Sequence, residues 1–337
     1  MKKEFEFVDR REFFSTLARG AALLGLAHVA LGDEPPKGLN PFAYDVARFS
    51  KTDPKLIGYD EVGRWPVGFS EPKRMAAGPD GQLYVCGETS VRQFGRSGVR
   101  HLDFIVGEQA RCAAVDGDGT VYVGLRDHVE VYSATGVRRA SWEPVGKKAW
   151  LTGLALSESE VFAADSGGRA VLRYDKTGKF LGRIGDKDPE RNVPGFIVPS
   201  PFLDVAFHRD GLLRVNNPGR HRVELYTPKG DFETAWGEAG FGVKSFCGCC
   251  NPIAIDVLPD GRAVTCEKGI PRVKISSATG EFESVVAGPE SFPENAGACS
   301  DLNDCVHGGL DAAVDAQGRI SILDIVTRQV AIMKRRG

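Results

Sequence analysis

Beyond its first thirty or so residues the sequence has no long apolar helical stripe, which excludes a bundle of buried helices. It does not lean to one sign of charge either. The 43 Lys and Arg residues against 45 Asp and Glu residues leave a net charge of −2. That balance gives no strongly basic face for nucleic acid and no acidic tail, so partners selected by bulk electrostatics are not expected. Histidine is scarce: the six residues are scattered, which argues against a histidine-built metal centre. There is no Ser/His/Asp order and no phosphate loop. What is abundant is glycine, at 41 residues, together with strand-type residues between turn signals. This composition points to an all-β chain, and 337 residues suit two average domains or one large closed β architecture.

Cysteine is the other excess. In Phe246-Cys247-Gly248-Cys249-Cys250-Asn251-Pro252 three thiols fall within four positions, and Cys266, Cys299 and Cys305 follow, so six of the eight cysteines lie in the last third of the chain. The spacing is neither a pair of Cys-x-x-Cys motifs nor a ferredoxin run.

The N-terminus reads as an address. Asp9-Arg10-Arg11-Glu12-Phe13-Phe14 precedes a modestly apolar run over residues 17–31 that Gly20 and Gly25 interrupt, and polar Asp33-Glu34-Pro35-Pro36 ends it. Paired arginines Arg10 and Arg11, an aromatic pair and a weak apolar core resemble a twin-arginine export signal over residues 1–32, with 33–54 as a linker. The resemblance implies the twin-arginine translocase as a transient partner, delivery to the periplasm or the extracellular space, and no stable membrane span after cleavage. Because such substrates cross the membrane folded, often with a cofactor inserted beforehand, it also raises the expectation of a bound metal.

A repeating pattern of apolar strand, Asp-Gly-type turn, second strand, polar loop and third strand runs through the remainder. It is seen at Met75-Ala76-Ala77 with Asp80-Gly81, at Ala113-Ala114-Val115 with Asp118-Gly119, and at Leu154-Ala155-Leu156 with a degenerate turn over 157–160. It recurs at Val205-Ala206-Phe207 with Asp210-Gly211, at Ile255-Asp256-Val257 with Asp260-Gly261, and at Ala312-Ala313-Val314 with Gln317-Gly318. These six units resemble the NHL repeats of a six-bladed β-propeller spanning residues 55–337. The last unit lacks an outer strand, so a strand near residues 56–65 is expected to complete it and close the ring. The hairpin turns explain the Asp-Gly pairs better than calcium does, and His208 beside one of them is expected to face water. Trp65, Trp142, Trp150 and Trp236 are assigned to blade packing.

The extra length of the chain falls at 186–200, 237–250 and 289–307, between the outer strand of one unit and the inner strand of the next. On the propeller template these insertions share one face, and Cys247, Cys249, Cys250, Cys266, Cys299 and Cys305 are expected to converge there beside blades five and six. Two chemistries use such a cluster. One is an iron–sulfur cluster or zinc held by thiolates, which His307 could join if it is not simply a surface-loop histidine, and the other is a set of disulfides stapling the insertions of an exported protein. Cys249 and Cys250 are not expected to bond each other, since adjacent side chains of an extended chain point to opposite sides and the small ring would be strained, so each needs a partner elsewhere. Cys86 and Cys112 are candidates for a separate pair. Arg74, Cys112, Asp204 and Asp311 occupy equivalent positions at the start of inner strands, where they would line a polar channel mouth for a small ligand or carry wet surface charges.

The expected protein is therefore an exported propeller acting as a binding or redox-accessory scaffold, with a protein partner or small ligand on the insertion face. A channel-mouth enzyme of lyase or lactonase type is the alternative.

Overall fold

The computed structural model describes residues 49–292 and 309–337, so Arg10, Arg11, Cys299, Cys305 and His307 lie outside the described residues. Twenty-four strands are found among the described residues, and they form six four-stranded antiparallel sheets, the blades of a β-propeller. After β1 (Tyr59–Pro66), blade one contains β2 (Pro72–Ala77), β3 (Leu83–Gly87), β4 (Ser90–Phe94) and β5 (Arg100–Ile105). Blade two contains β6 (Cys112–Val115), β7 (Val121–Gly124), β8 (Val129–Tyr132) and β9 (Arg138–Ser141). Blade three contains β10 (Leu151–Leu156), β11 (Glu160–Asp165), β12 (Ala170–Asp175) and β13 (Phe180–Ile184). Blade four contains β14 (Val205–Phe207), β15 (Leu213–Asn217), β16 (Arg222–Tyr226) and β17 (Phe232–Trp236). Blade five contains β18 (Ala254–Val257), β19 (Ala263–Glu267), β20 (Arg272–Ser276) and β21 (Phe282–Ala287). Blade six contains β22 (Leu310–Val314), β23 (Ile320–Asp324) and β24 (Gln329–Arg335), and β1 supplies its fourth strand in the order β1-β24-β23-β22.

The burial gradient across each sheet follows from this arrangement. Six inner strands converge on one axis, where only small side chains fit, and Ala76, Ala77, Ala113, Ala114, Ala155, Ala206, Ala312 and Ala313 stand there. Second strands are covered on both faces by neighbouring blades, so β3, β7, β19 and β23 are buried at every position. The outer strands meet water, and β9 and β17 carry no buried residue.

The expected closing strand pairs antiparallel with β24, with Trp65 opposite Val330 and Tyr59 opposite Arg335. Trp65 then packs at a tilt against Phe94 of blade one, ring centroids 4.7 Å apart, so a single residue joins the first blade to the last. The first-to-second-strand turns use glycine where the backbone must be left-handed: Gly119 has φ 83° and its N–H closes the turn on the Asp116 carbonyl at 2.9 Å. In the degenerate third unit, Ser157 makes the turn without glycine by bonding Glu160 through both backbone and hydroxyl.

Candidate functional site

The inner strands enclose a channel cavity of about 220 Å³ lined by Arg74, Cys112, Asp204, Asp256 and Asp311 among small apolar side chains. Arg74 enters at a register shift of β2 between Pro72 and Arg74, a bulge that re-aims its side chain. Its guanidinium donates to Asp311 at 2.8 Å, Asp204 at 3.2 Å and the Ile253 carbonyl at 3.0 Å. Asp311 accepts in turn from the Met75 N–H at 2.6 Å, and Asp204 from the Ile255 N–H at 3.0 Å. Gly153 makes room for this, since a Cβ there would come within 2.1 Å of Asp204 Oδ1. Asp204 also receives support through its own N–H, which donates to Asn216, while Asn216 Nδ2 donates to the Phe202 and Pro252 carbonyls. The network ties blades one, four, five and six across the axis.

These charges are not the wet strand ends that solubility alone would require. Arg74, Asp204 and Asp311 are buried, with relative exposures of 9%, 7% and 3%. Burial pushes the Asp204 carboxyl up to about 6, with Asp311 adding to the rise and Arg74 opposing it. Burial works against the Arg74 charge as well, but Asp204 and Asp311 outweigh it and its pKa lies above the ordinary arginine value. Asp256 also lines the channel, inside the inner strand Ala254–Val257 and off the position that Arg74, Asp204 and Asp311 share. Its oxygens accept from the Val257 and Val314 N–H groups, each at 2.7 Å, yet burial still pushes its carboxyl up to about 7. The readable sign was a lone carboxylate inside the inner strand Ala254–Val257.

A second cavity, of about 150 Å³, lies where the inner strands begin and shares Arg74 with the channel. Its wall includes Lys73, Gln109, Arg111, Trp150, Thr152 and Phe202. Trp150 is thus a mouth residue rather than blade packing, whereas Trp142 and Trp236 do pack, at 5.0 Å from Tyr174 and 6.3 Å from Phe246. The Arg111 guanidinium lies 3.9 Å from the Trp150 ring centroid, donates to the Leu151 carbonyl at 2.9 Å, and is lowered to about 10, chiefly by burial. The indole N–H of Trp150 has no hydrogen-bond partner among the described residues.

The described thiols sit in different settings. Cys266 sits in the core between blades five and six with Val264, Val273 and Leu310, and burial raises its pKa well above the ordinary thiol value, with Asp311 contributing. Cys86 and Cys112 lie near each other at blades one and two, and both are unbonded. Burial raises Cys86 well above the ordinary value and holds Cys112 at about 12 although Arg111 and Arg74 pull it down. Such thiols stay protonated at neutral pH and are poor ligands and nucleophiles. Cys247 belongs to a different buried network under the 237–250 insertion. Its N–H donates to Glu267 at 3.2 Å, its thiol bonds the Lys268 carbonyl at 3.4 Å, and burial with Glu267 raises its pKa. Glu267 also pairs with Arg272 and Lys274, each at 2.8 Å, and those cations hold the insertion by donating to the Phe241 and Ser245 carbonyls.

Cys249 and Cys250 come close without bonding each other: their sulfurs are 3.4 Å apart. The segment is a bend rather than a strand, with Gly248 at φ 72°, so successive side chains need not alternate. Among the described residues no three Cys, His, Asp or Glu side chains are placed to hold a metal, and Cys86, Cys112, Cys247, Cys250 and Cys266 form no disulfide. The four described thiols of the expected cluster therefore make no zinc or iron–sulfur set by themselves. His208 is another correction: it is mostly buried, bonded to the Pro259 carbonyl at 3.3 Å and paired with Asp210 at 3.2 Å.

No protein-family profile matches the chain, and no curated protein sequence is significantly similar to it. Solved structures do resemble it. A streptogramin B lyase is 12% identical with a TM-score of 0.55, over 83% of this chain and 98% of that one. A virginiamycin B lyase from Staphylococcus aureus is 11% identical with a TM-score of 0.56, over 81% and 99% of the two chains. The WD40 β-propeller domain of Doa1 is 14% identical with a TM-score of 0.55, over 83% and 98%. Likeness at this identity establishes the propeller fold and no activity.

Proposed function

We propose that this chain is an exported propeller of NHL type that takes a small ligand at its channel mouth and acts on it by acid–base chemistry, as a lyase or lactonase does. The observation that carries the reading is one small cavity holding two carboxyls near neutrality, Asp204 at about 6 and Asp256 at about 7, beside the buried Arg74 cation. Elimination and lactone opening both need a group that takes a proton, a group that gives one, and positive charge where an oxyanion develops. A carboxyl titrating near pH 7 serves either proton role, and Arg74 supplies the charge. Above them, Trp150 and Arg111 offer a flat face and a cation to a ring or carboxylate on the ligand. The described histidines line neither cavity. A propeller of the same shape, the S. aureus virginiamycin B lyase, is known in a catalytically inactive histidine-to-alanine form with quinupristin, so this chain would do its proton transfers with carboxylates.

The test is proton release from a panel of aliphatic, aromatic and macrocyclic lactones, quinupristin included, using the wild-type protein and Asp256→Asn. Turnover of at least one lactone by the wild type, with kcat lowered at least tenfold and KM little changed in the variant, is the expected result. No turnover, or equal kcat in the two proteins, overturns the reading.

The close sulfurs of Cys249 and Cys250 favour a second reading, a redox-accessory or interaction scaffold whose insertion face meets a protein partner. It would use that dithiol together with Cys299 and Cys305, as a disulfide, zinc or iron–sulfur site. Thiol counting before and after phenylarsine oxide, with elemental analysis of protein isolated from its native host, tests it. Protection of two thiols that disappears in Cys250→Ser is expected, and an unchanged count sinks it. For export, replacing Arg10 and Arg11 by Lys should retain a reporter fused to residues 1–40 in the cytoplasm.

A further inference from the structure

The face opposite the mouth carries a groove of about 700 Å³ that the activity proposed above does not use. It is walled by turns and strand ends of four blades, and its charged lining is one-sided: Arg96, Arg209, Arg262, Arg319, Lys334 and Arg335 against Asp260 alone. The carboxylates behind the wall do not balance it. Asp315 is shared between Arg96 at 2.8 Å and Arg319 at 2.6 Å, and Arg262 is held by Asp260 at 2.8 Å and Glu283 at 3.0 Å. Arg209, Lys334 and Arg335 have no ion pair among the described residues, so three positive charges in the groove stand uncompensated. This concentration occurs on a chain whose overall charge is −2. Burial and then the Arg319 charge lower the pKa of Arg96, against the opposing pull of the single Asp315 carboxylate that the two arginines share. The backbone fixes where the three unpaired cations start: Arg209 lies on the short turn that Gly211 closes at φ 86°, and Lys334 and Arg335 end the paired strand β24. Tyr59, Leu258, Pro259 and Met333 form the floor, so the groove is a polar rim over an apolar base.

We propose that this groove binds a small oligophosphate, a chain of at least two linked phosphates free or esterified to an organic group. Guanidinium forks match phosphate oxygens in pairs, and three surplus charges match a ligand of about that valence. The volume suits a nucleotide-sized molecule rather than a single oxyanion.

Calorimetric titration of the full chain with sodium tripolyphosphate tests the proposal, with parallel titrations of orthophosphate, ATP and a trisulfated heparin disaccharide. The expected result is one tripolyphosphate site, at least tenfold tighter than orthophosphate and weakened by added NaCl. It should be lost at least tenfold in Arg209→Ser/Arg335→Ser, whose exposed side chains leave the melting temperature unchanged. ATP binding as well as tripolyphosphate would show that the phosphate chain alone is read, and tighter ATP binding would place an organic group on the apolar floor. Absence of tripolyphosphate binding, equal binding by the double variant, or equal binding of the sulfated disaccharide would each overturn it. None of these results depends on turnover at the channel, so the two proposals fail separately.

Discussion

Replacing Arg74 by methionine removes the cation between the buried channel carboxylates Asp204 and Asp311 and keeps most of the side-chain volume. In the wild type its guanidinium satisfies Asp311, Asp204 and the Ile253 carbonyl at once. Breaking one partner out of a buried ion pair leaves an uncompensated charge and costs about 3–5 kcal/mol, and the orphaned Ile253 carbonyl adds about 1–3 kcal/mol. The deficit must depend on pH with a defined sign. Asp204 already sits at about 6 against an ordinary 3.8, and without the opposing Arg74 charge it rises further. Below that raised pKa the folded variant holds a proton that the unfolded chain has released, so its stability grows as pH falls. Wherever the folded variant holds one more proton than the unfolded chain, its stability changes by about 1.4 kcal/mol per pH unit. Urea unfolding at pH 8 and pH 6 should therefore show a deficit of about 4 kcal/mol or more at pH 8 and a smaller one at pH 6. A deficit below about 1 kcal/mol, or one equal at the two pH values, would refute the buried-clasp account.

Three further outcomes follow from the same contacts. The wild-type protein should lose stability as pH rises from about 4 to about 7, because Asp204 and Asp256 stay protonated when folded at pH values where unfolded carboxyls have ionised; urea midpoints across that window measure it, and a flat profile contradicts the raised pKa values. Glu267→Gln strips the partner from buried Arg272 and Lys274 and should cost about 3–5 kcal/mol, with faster reaction of Cys247 toward a thiol reagent as the 237–250 insertion loosens. Gly98→Ala places a Cβ 2.5 Å from the Trp65 ring at φ 82°, so the blade-closing strand should be displaced and the melting temperature lowered by several degrees.

Most of the architecture was readable because a propeller writes its fold in repeats: each unit shows the same strands and turns, and the missing outer strand of the sixth demanded a donor near Tyr59 and Trp65. Equivalence between repeats also brought Arg74, Cys112, Asp204 and Asp311 to one level of the channel. The same reasoning misjudged their surroundings, since strand ends that look wet in one blade are covered once six converge. Asp256 escaped because it lies off that equivalent position. Trp150 escaped because a tryptophan in a β protein packs far more often than it lines a mouth. The groove on the opposite face was invisible to net charge, being assembled from turns as far apart in sequence as Arg96 and Arg335. The closeness of Cys249 and Cys250 is not legible in an alternating strand pattern, because the bend at Gly248 turns successive side chains the same way.

The channel carboxylates hold the ring together and also fit proton transfer, and one substitution separates the two roles. Asp256 joins blades five and six by accepting from Val314, and accepts from Val257 through its other oxygen. An asparagine there keeps one acceptor and turns the other position into a donor facing an N–H group, a loss of about 1–3 kcal/mol. A domain stable by about 5–15 kcal/mol remains folded after that change. Removal of a general acid or base lowers a rate by about 10²–10⁴. A stability-only role therefore predicts that folded Asp256→Asn keeps its full turnover number on whichever lactone the wild type opens. A chemical role predicts a collapse of kcat far larger than any unfolded fraction can account for.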